Sequence, residues 1–282
     1  MASRSHSTDE YASTLREVSR VTAPAIRQAI RALGIEAGSA GVDVGCGVGL
    51  DTLLLAEEVG EHGKVVGVDL SSDFVRAAGQ AARRSEHPER LDFVVGDLGD
   101  LPMAENSFDW LWCKDTLWPR ASGGGGVVSE PVSALRELAR VVRPGGTVAV
   151  VFWSGQKLLP GYPKLEARLD AAQTEWIPYL RNIPPERHFL GALGWIRSAG
   201  LADGQASCFS ACIYAPLDKA LQQAMGCVFD MLYTDARPWL TAEEWKLTER
   251  LCRPESPDFL PATPSYCGSV HYTLFTGRVP PV

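Results

Sequence analysis

The sequence contains no apolar run of the roughly eighteen residues that a transmembrane helix requires, which argues against a membrane-spanning protein. Its opening stretch, MASRSHSTDEYAS, also lacks the apolar segment of a secretory signal, so we expect a cytoplasmic protein with no membrane partner. Positive charge is scarce as well. The 27 Lys and Arg residues against 34 Asp and Glu residues give a formal net charge of −7, the wrong sign for a broad nucleic-acid-binding face. These absences favour a small-molecule substrate and no nucleic-acid partner.

Paired cysteines are missing too. The seven cysteines are an odd number, none forms a C-x-x-C pair, and a chain of 282 residues can build its core without disulfide bonds. Cys208 and Cys212 lie close in sequence, but no Cys or His pair follows them to complete a zinc site. We therefore expect reduced thiols and no bound metal.

Short apolar runs alternate with amphipathic ones from about position 40 onwards, the pattern of βαβ units around a parallel sheet. The predicted strands cover residues 41–44, 64–68, 91–95, 108–112, 147–153, 206–214 and 271–279. The predicted helices that follow the first strand cover residues 50–59, 72–84, 130–142, 187–199, 218–233 and 241–252. The sequence thus predicts an α/β fold with a Rossmann-like, seven-stranded, mostly parallel sheet whose last strand is antiparallel.

Several segments outside the alternating pattern are expected to cover the carboxyl edge of the sheet. In residues 1–34, apolar residues recur at helical spacing on both sides of Pro24, which predicts a lid of two helices with Thr22 capping the second. Residues 35–153 form the predicted core, and the proline-rich residues 154–186 form a partly helical excursion on the substrate side. Residues 187–282 complete the core, with a helical cap inserted at about 216–268.

The turn after the first predicted strand is rich in glycine and reads V-D-V-G-C-G-V-G-L from Val42 to Leu50. Glycine is needed where the backbone turns tightly and a ligand approaches without meeting a Cβ atom. A nicotinamide-cofactor turn has the form G-x-G-x-x-G, and Leu50 stands where its third glycine belongs. The motif therefore favours a nucleotide ligand other than a dinucleotide, with a ligand-free turn as the alternative.

Two carboxylates follow the next two predicted strands. Asp69 lies at the end of the second strand, where it can accept hydrogen bonds from both hydroxyls of a ribose, or can cap the next helix. Asp97 follows the third strand, where it can accept from an exocyclic amine, or can be an exposed turn residue. Together with the glycine turn, they predict an adenosine site without a pyrophosphate cradle.

The motifs between Val42 and Gly146 resemble those of the class I S-adenosylmethionine-dependent methyltransferases, particularly the branch with the ubiquinone and menaquinone biosynthesis methyltransferases. In chain order they read V-D-V-G-C-G-V-G, G-V-D-L-S, V-G-D-L-x-x-L-P-M, F-D and L-A-R-V-V-R-P-G-G. The resemblance implies the class I methyltransferase fold and S-adenosyl-L-methionine as the cofactor.

Carried over residue by residue, the resemblance implies cofactor contacts for two groups of residues. Those beside the methionine part are Asp43, Gly45, Cys46 and Gly47. Those that hold the ribose and the adenine are Asp69, Leu70, Asp97 and Leu98. After the fourth strand the chain has C-K-D-T-L-W where family members often carry a Glu-His type sequence, so acceptor-side residues cannot be carried over.

The predictions for the acceptor side of the site are based on residue types alone. Aromatic residues outside the sheet can line an apolar acceptor pocket or pack in the core, and they are Trp118, Trp176, Tyr179, Tyr233, Trp239 and Tyr266. If the acceptor arrives protonated, a general base is needed, and the hypotheses for it, in order of preference, are His188, His271 and Asp115.

The sequence therefore predicts in-line methyl transfer from S-adenosylmethionine to a small-molecule O, C, N or S nucleophile, aromatic or apolar in character and typical of secondary metabolism. Alignment and exclusion of water are then the main contributions of the protein. Two alternatives stay open: an enzyme of another reaction class that uses the sulfonium electrostatically, and a non-catalytic protein that binds the same cofactor.

Overall fold

A mixed seven-stranded sheet runs through the computed structural model, which describes residues 8–118, 130–177, 180–181 and 183–281. The strands are β1 (Ala40–Val44), β2 (Lys64–Asp69), β3 (Leu91–Val95), β4 (Phe108–Lys114), β5 (Val142–Lys157), β6 (Ala202–Tyr214) and β7 (Cys267–Arg278). They lie in the order β3-β2-β1-β4-β5-β7-β6, with β7 antiparallel to both of its neighbours and the other pairs parallel. The predicted α/β fold with an antiparallel last strand is confirmed.

Helices connect the strands and flank the sheet. The helices of the described residues are α1 (Thr8–Leu33), α2 (Leu50–Glu58), α3 (Ser72–Ala82), α4 (Pro131–Arg140), α5 (Pro163–Trp176), α6 (Ala192–Ser198), α7 (Lys219–Tyr233) and α8 (Ala242–Cys252). Short 3-10 turns occupy the start of the segment predicted as a helix from residue 187, so α6 begins only at Ala192. Both α7 and α8 lie between β6 and β7, within the predicted cap.

Two apolar clusters hold these layers together, one on each face of the sheet. Adjacent residues of β4 alternate between them: Trp110 and Trp112 belong to the cluster with α1, α2 and α7, and Leu111 and Cys113 to the cluster with α4 and α6. This alternation is the period of two that a strand covered on both faces imposes. The sheet is therefore covered by helices on both faces. None of the helices in the described part of the chain is long and apolar enough to cross a membrane.

The prediction of two N-terminal helices is wrong, because α1 continues through Pro24. Proline removes one backbone donor and disturbs the preceding turn, which normally breaks a helix. Here Ala25 and Ile26 are buried and α1 packs against α7 and β6, and this packing holds the helix together across the proline. In addition, the Gln28 side-chain amide donates to the Pro24 carbonyl at 3.0 Å and to the Ser210 carbonyl at 3.1 Å, which ties this turn to β6.

The centre of the sheet has no room for a side chain at Gly41. A Cβ atom there would lie 2.0 Å from the Trp110 ring, and that ring is fixed because its Nε1 donates to Ser39 Oγ at 2.9 Å. We expect Gly41→Ala to lower the free energy of unfolding by about 1–3 kcal/mol, measured by urea denaturation. The control is Gly194→Ala, where nothing lies within 4 Å of the new atom. A loss in Gly41→Ala no larger than in the control would show that the Trp110 ring yields without cost.

Candidate active site

The glycine turn follows the carboxyl end of β1 and has a backbone conformation that residues with a side chain rarely adopt. Gly45, Gly47 and Gly49 have φ values of 77°, 53° and 83°, in the left-handed region. The amides of Gly45 and Cys46 both donate to the Val68 carbonyl, at 2.8 and 3.0 Å. The turn is thereby fastened to the end of β2.

Asp69 joins this turn to the start of α3. Its Oδ2 accepts from the Gly47 amide at 2.9 Å, and its Oδ1 accepts from the Ser71 amide at 2.9 Å. Each oxygen of a carboxylate has room for a further hydrogen bond. Asp69 lines two cavities that open at this edge of the sheet, so its remaining acceptor positions are available to a ligand.

The smaller cavity has a volume of about 470 Å³ and lies beyond β2 and β3. Leu70, Asp97 and Leu98 line it together with Asp69. The side chain of Leu70 is 70% exposed, an unusual position for a leucine beside a cavity. Asp97 Oδ1 accepts from the Gly99 amide at 2.8 Å, which fixes the orientation of that carboxylate.

The larger cavity has a volume of about 1030 Å³ and adjoins the smaller one, since Gly45, Asp69, Asp115 and Thr116 line both. Further walls come from the N-terminal half of α1, the outer end of β5, α5, the end of α7 and the first half of β7. The N-terminal half of α1 therefore lies over the cavity, while its C-terminal half packs against the core.

Buried carboxylates gather at the inner end of the larger cavity. Asp43 is 2% exposed and accepts from Thr52 Oγ1 at 2.6 Å, and burial together with Asp51 raises its pKa to about 7. Asp51 accepts from Trp112 Nε1 at 3.0 Å and pairs with Lys114 Nζ at 2.9 Å. Burial lowers the pKa of Lys114, but the carboxylates around it outweigh this effect and leave that pKa raised.

Asp115 lies at the junction of the two cavities with φ 49°, a left-handed backbone conformation. Its Oδ1 accepts from the Trp153 amide at 2.8 Å. Burial raises the pKa of Asp115 to about 6. This carboxyl group can therefore change its protonation state near neutral pH.

The structure separates the two histidines proposed as bases. His271 lines the larger cavity, and its Nε2 lies 3.1 Å from Ser269 Oγ. His188 lines neither cavity, and its Nδ1 accepts from the Leu190 amide at 3.3 Å, as a cap on a short 3-10 turn. Burial lowers the pKa of His188. The preference for His188 as the base is therefore not supported by its position.

The six aromatic residues proposed for the acceptor pocket also differ in where they lie. Trp118 and Trp176 line the larger cavity. Tyr233 and Tyr266 are 1% and 2% exposed and belong to the core, and the Tyr266 hydroxyl donates to the Leu158 carbonyl at 3.2 Å. Trp239 is 37% exposed and lines neither cavity. Tyr179 lies outside the described residues.

Sequence reasoning missed most of the polar residues that line the larger cavity. They include Tyr11, Asp51, Lys114, Gln156, Asp170 and Tyr272. One signal was available for Lys114: an ammonium group at the end of the apolar run F-D-W-L-W-C requires a buried partner, and that partner is Asp51. Among the described residues, no group of His, Cys, Asp and Glu side chains is placed to hold a metal ion.

The fold places two adjoining cavities at the carboxyl edge of the sheet, which is the edge where open α/β sheets bind their ligands. The chain belongs to the methyltransferase domain family, whose model matches residues 35–185. This membership confirms the resemblance that the motifs between Val42 and Gly146 indicated. The cofactor of this family is S-adenosyl-L-methionine.

Individual relatives agree with the family assignment. The chain is 34% identical over 138 residues to the demethylmenaquinone methyltransferase of Oceanobacillus iheyensis, which covers 48% of this chain and 53% of that protein. It is 33% identical over 124 residues to the same enzyme of Bacillus cereus, which covers 43% of this chain and 48% of that protein. The chain thus spans about half the length of these relatives. The YcgJ protein of Bacillus subtilis shares the fold, with a TM-score of 0.55, 18% identity, and coverage of 92% of this chain and 99% of that chain.

Burial of Asp43 makes stability depend on pH. Its pKa is raised from 3.8 to about 7 on folding, so between these values the native state holds a proton that the unfolded chain has released. Stability from this group is present at low pH and is lost as pH rises through that window. We expect the parent to lose stability relative to Asp43→Asn between pH 4 and 7, by at most about 1.4 kcal/mol per pH unit.

Urea denaturation at closely spaced pH values measures this difference. The matched control is Asp92→Asn, which changes an exposed carboxylate on β3. Parallel pH profiles for the parent and Asp43→Asn would show that Asp43 is ionised throughout the window.

Proposed function

We propose that this protein transfers the methyl group of S-adenosylmethionine to a small-molecule acceptor with an aromatic or apolar body. The observation that carries the proposal is the junction of the two cavities at Gly45, Asp69, Asp115 and Thr116. The smaller cavity has polar groups, at Asp69 and Asp97, and a volume that suit an adenosine. The larger cavity has room for a second molecule.

The smaller cavity fits the adenosine part in its chemistry. Asp69 offers its remaining acceptor positions to the two ribose hydroxyls, and Asp97 offers a fixed carboxylate to an amino group on the adenine edge. The exposed side chain of Leu70 is an apolar surface that a planar base would cover, and Leu98 lies in the same wall.

The glycine turn and the buried carboxylates fit the methionine part. Gly45, Cys46 and Gly47 line the larger cavity beside Asp69, where no side chain of Gly45 or Gly47 obstructs the approach of a ligand. Asp43 lies behind them and would orient a cationic amino group. When bound, S-adenosylmethionine supplies an activated methyl group on a cationic sulfur.

The remaining walls would exclude water and align the acceptor. Trp118 is 6% exposed and packs edge-on against Phe152 and Phe189, so it presents a rigid apolar surface. In well-oriented systems, alignment contributes roughly 7–11 kcal/mol to lowering a barrier. We assign the removal of an acceptor proton to Asp115, because it lies at the junction and its pKa of about 6 suits a base near neutral pH. His271 is the second choice.

Removal of the Asp69 carboxylate tests the adenosine site. We expect Asp69→Ala to weaken binding of S-adenosylhomocysteine by about 1.5–3 kcal/mol, because hydrogen bonds to a charged group are lost. Calorimetry measures the affinity, and the parent is expected to bind this ligand and not NAD. Asp73→Ala, an exposed carboxylate paired with Arg76 on α3, serves as the control. Equal affinities for the parent and Asp69→Ala, or tight NAD binding by the parent, would contradict the site.

The base assignment predicts a pH dependence. With 2,6-dihydroxynaphthalene as the acceptor, we expect the rate of S-adenosylhomocysteine release to fall as pH drops below about 6, because Asp115 then becomes protonated. Asp115→Asn keeps the oxygen that accepts from the Trp153 amide but should lower turnover roughly a hundredfold at neutral pH. The variant should also lose the fall near pH 6. If the parent and the variant share one rate and one pH profile, alignment alone accounts for catalysis.

A further inference from the structure

Lys114 ends β4 beside the glycine turn, although no sequence motif includes it. Trp112 of β4 pairs in parallel register with Asp43 of β1. Two positions further along each chain, the same register brings Lys114 next to Gly45. The two segments touch, since a Cβ atom at Gly45 would lie 2.0 Å from Thr116 Oγ1, and that hydroxyl donates to the Lys114 carbonyl at 2.9 Å. Lys114 therefore lies at the inner end of the larger cavity, which it lines.

The Lys114 side chain is held in place by buried partners. Its Nζ pairs with Asp51 Oδ1 at 2.9 Å, and the other oxygen of Asp51 accepts from Trp112 Nε1 at 3.0 Å. The same Nζ lies 5.9 Å from the centroid of the Tyr272 ring. Asp51 and Tyr272 line the larger cavity, and the Lys114 side chain is 22% exposed between them. The exposed part of this side chain therefore faces the cavity.

Lys114 and Asp43 point to the same face of the sheet. Val42 and Val44 belong to the cluster with α4 and α6, so Asp43 between them points to the opposite face. Trp112 belongs to the cluster on that opposite face, and Lys114 shares the face because it follows two positions later in the strand. Asp43 is also one of the carboxylates that attract the Lys114 ammonium group. A carboxyl group and an ammonium group are therefore neighbours at the inner end of the cavity.

The Lys114 ammonium group has donors to spare. It carries three N–H groups, and its one hydrogen bond to a described residue is the bond to Asp51. Two donors are thus left for a ligand, and anionic oxygens pair most strongly with a cationic donor. Asp43, Asp51 and Asp115 surround the ammonium group, so a simple anion would be repelled. A zwitterion suits the site better, because its own cation pairs with a carboxylate there.

The other cationic side chains of the described cavity wall lie far from the glycine turn. Lys114 pairs in the sheet with Val151 of β5. Lys157 lies six positions further along β5, roughly 20 Å away, and its side chain is 71% exposed. His271 lies opposite Gly155, roughly 13 Å along β5 from Val151. Among the described residues of the wall, Lys114 is therefore the cation that a ligand at the turn can reach.

We infer that Lys114 binds the carboxylate of the methionine part of S-adenosylmethionine, through the donors that Asp51 leaves free. The ammonium and carboxylate groups of an amino acid are bonded to one carbon atom, so the residues that bind them must be neighbours. Asp43, proposed for the ammonium group, and Lys114 meet this requirement. The inference rests on the proposed function, because that function places the donor in this cavity.

Two ligands that differ in the carboxylate alone test the inference by calorimetry. They are S-adenosylhomocysteine and its decarboxylated analogue, 5′-deoxy-5′-(3-aminopropylthio)adenosine, which keeps the adenosine, the sulfur and the amino group. The parent should bind S-adenosylhomocysteine about thirtyfold more tightly than the analogue, because the analogue lacks the hydrogen bonds between the carboxylate and a charged donor.

Lys114→Met should remove this preference. We expect it to bind S-adenosylhomocysteine about thirtyfold more weakly than the parent does, and to bind the analogue at least as tightly as the parent does. Retained affinity for the analogue shows that the variant is folded. The double variant Lys114→Met/Asp51→Asn leaves no lone buried charge and should lose the preference too. If Lys114→Met does not fold, as judged by circular dichroism, the double variant decides by the same criterion.

Lys157→Met is the matched control, because it removes the other ammonium group of the described cavity wall and should keep the full preference. The inference is overturned if the parent binds the two ligands equally, if Lys114→Met and the double variant retain the preference, or if Lys157→Met loses it to the same extent. A parent that binds neither ligand overturns the proposed function as well, so the two failures are distinguishable.

Discussion

The hydrogen bond from the Gly47 amide to Asp69 Oδ2, at 2.9 Å, is the contact on which the organisation of this site depends. It joins the turn after β1 to the end of β2. The second oxygen of the same carboxylate accepts a hydrogen bond from the Ser71 amide, just before α3. One side chain thus sets the relative positions of two connections at the carboxyl edge of the sheet. Both cavities open where these connections meet, so the boundary between them is fixed by the same carboxylate.

Electrostatic strain is concentrated at this edge. Asp43, Asp51 and Asp115 approach one another with Lys114 as the nearby cation, and the raised pKa values of Asp43 and Asp115 record the cost of burying them. Such arrangements weaken a fold, and they persist where function uses them. A cationic ligand between these groups would relieve the repulsion, which agrees with the donor proposed for this site.

The order of the strands and helices was predictable because their signals are local. Alternating apolar runs marked the strands, and the glycine turn, Asp69 and Asp97 followed three of the predicted strands. Prediction failed at Pro24, since a local rule for breaking helices could not include the packing of α1 against α7 and β6. The sequence left open whether Tyr233 and Tyr266 line a pocket or pack in the core, because an aromatic side chain has the same sequence signal in both places, and the structure places both residues in the core.

The sequence by itself determined the fold class and the family, because these depend on short motifs that end successive strands of one parallel sheet. Only the tertiary structure decided which side chains line the larger cavity. Asp170 and Trp176 on α5, Gln156 on β5 and Tyr272 on β7 are far apart in the chain and belong to no motif. They come together because β7 inserts between β5 and β6 in the sheet and α5 lies over the end of β5, and pairings between distant segments leave no local periodicity to detect.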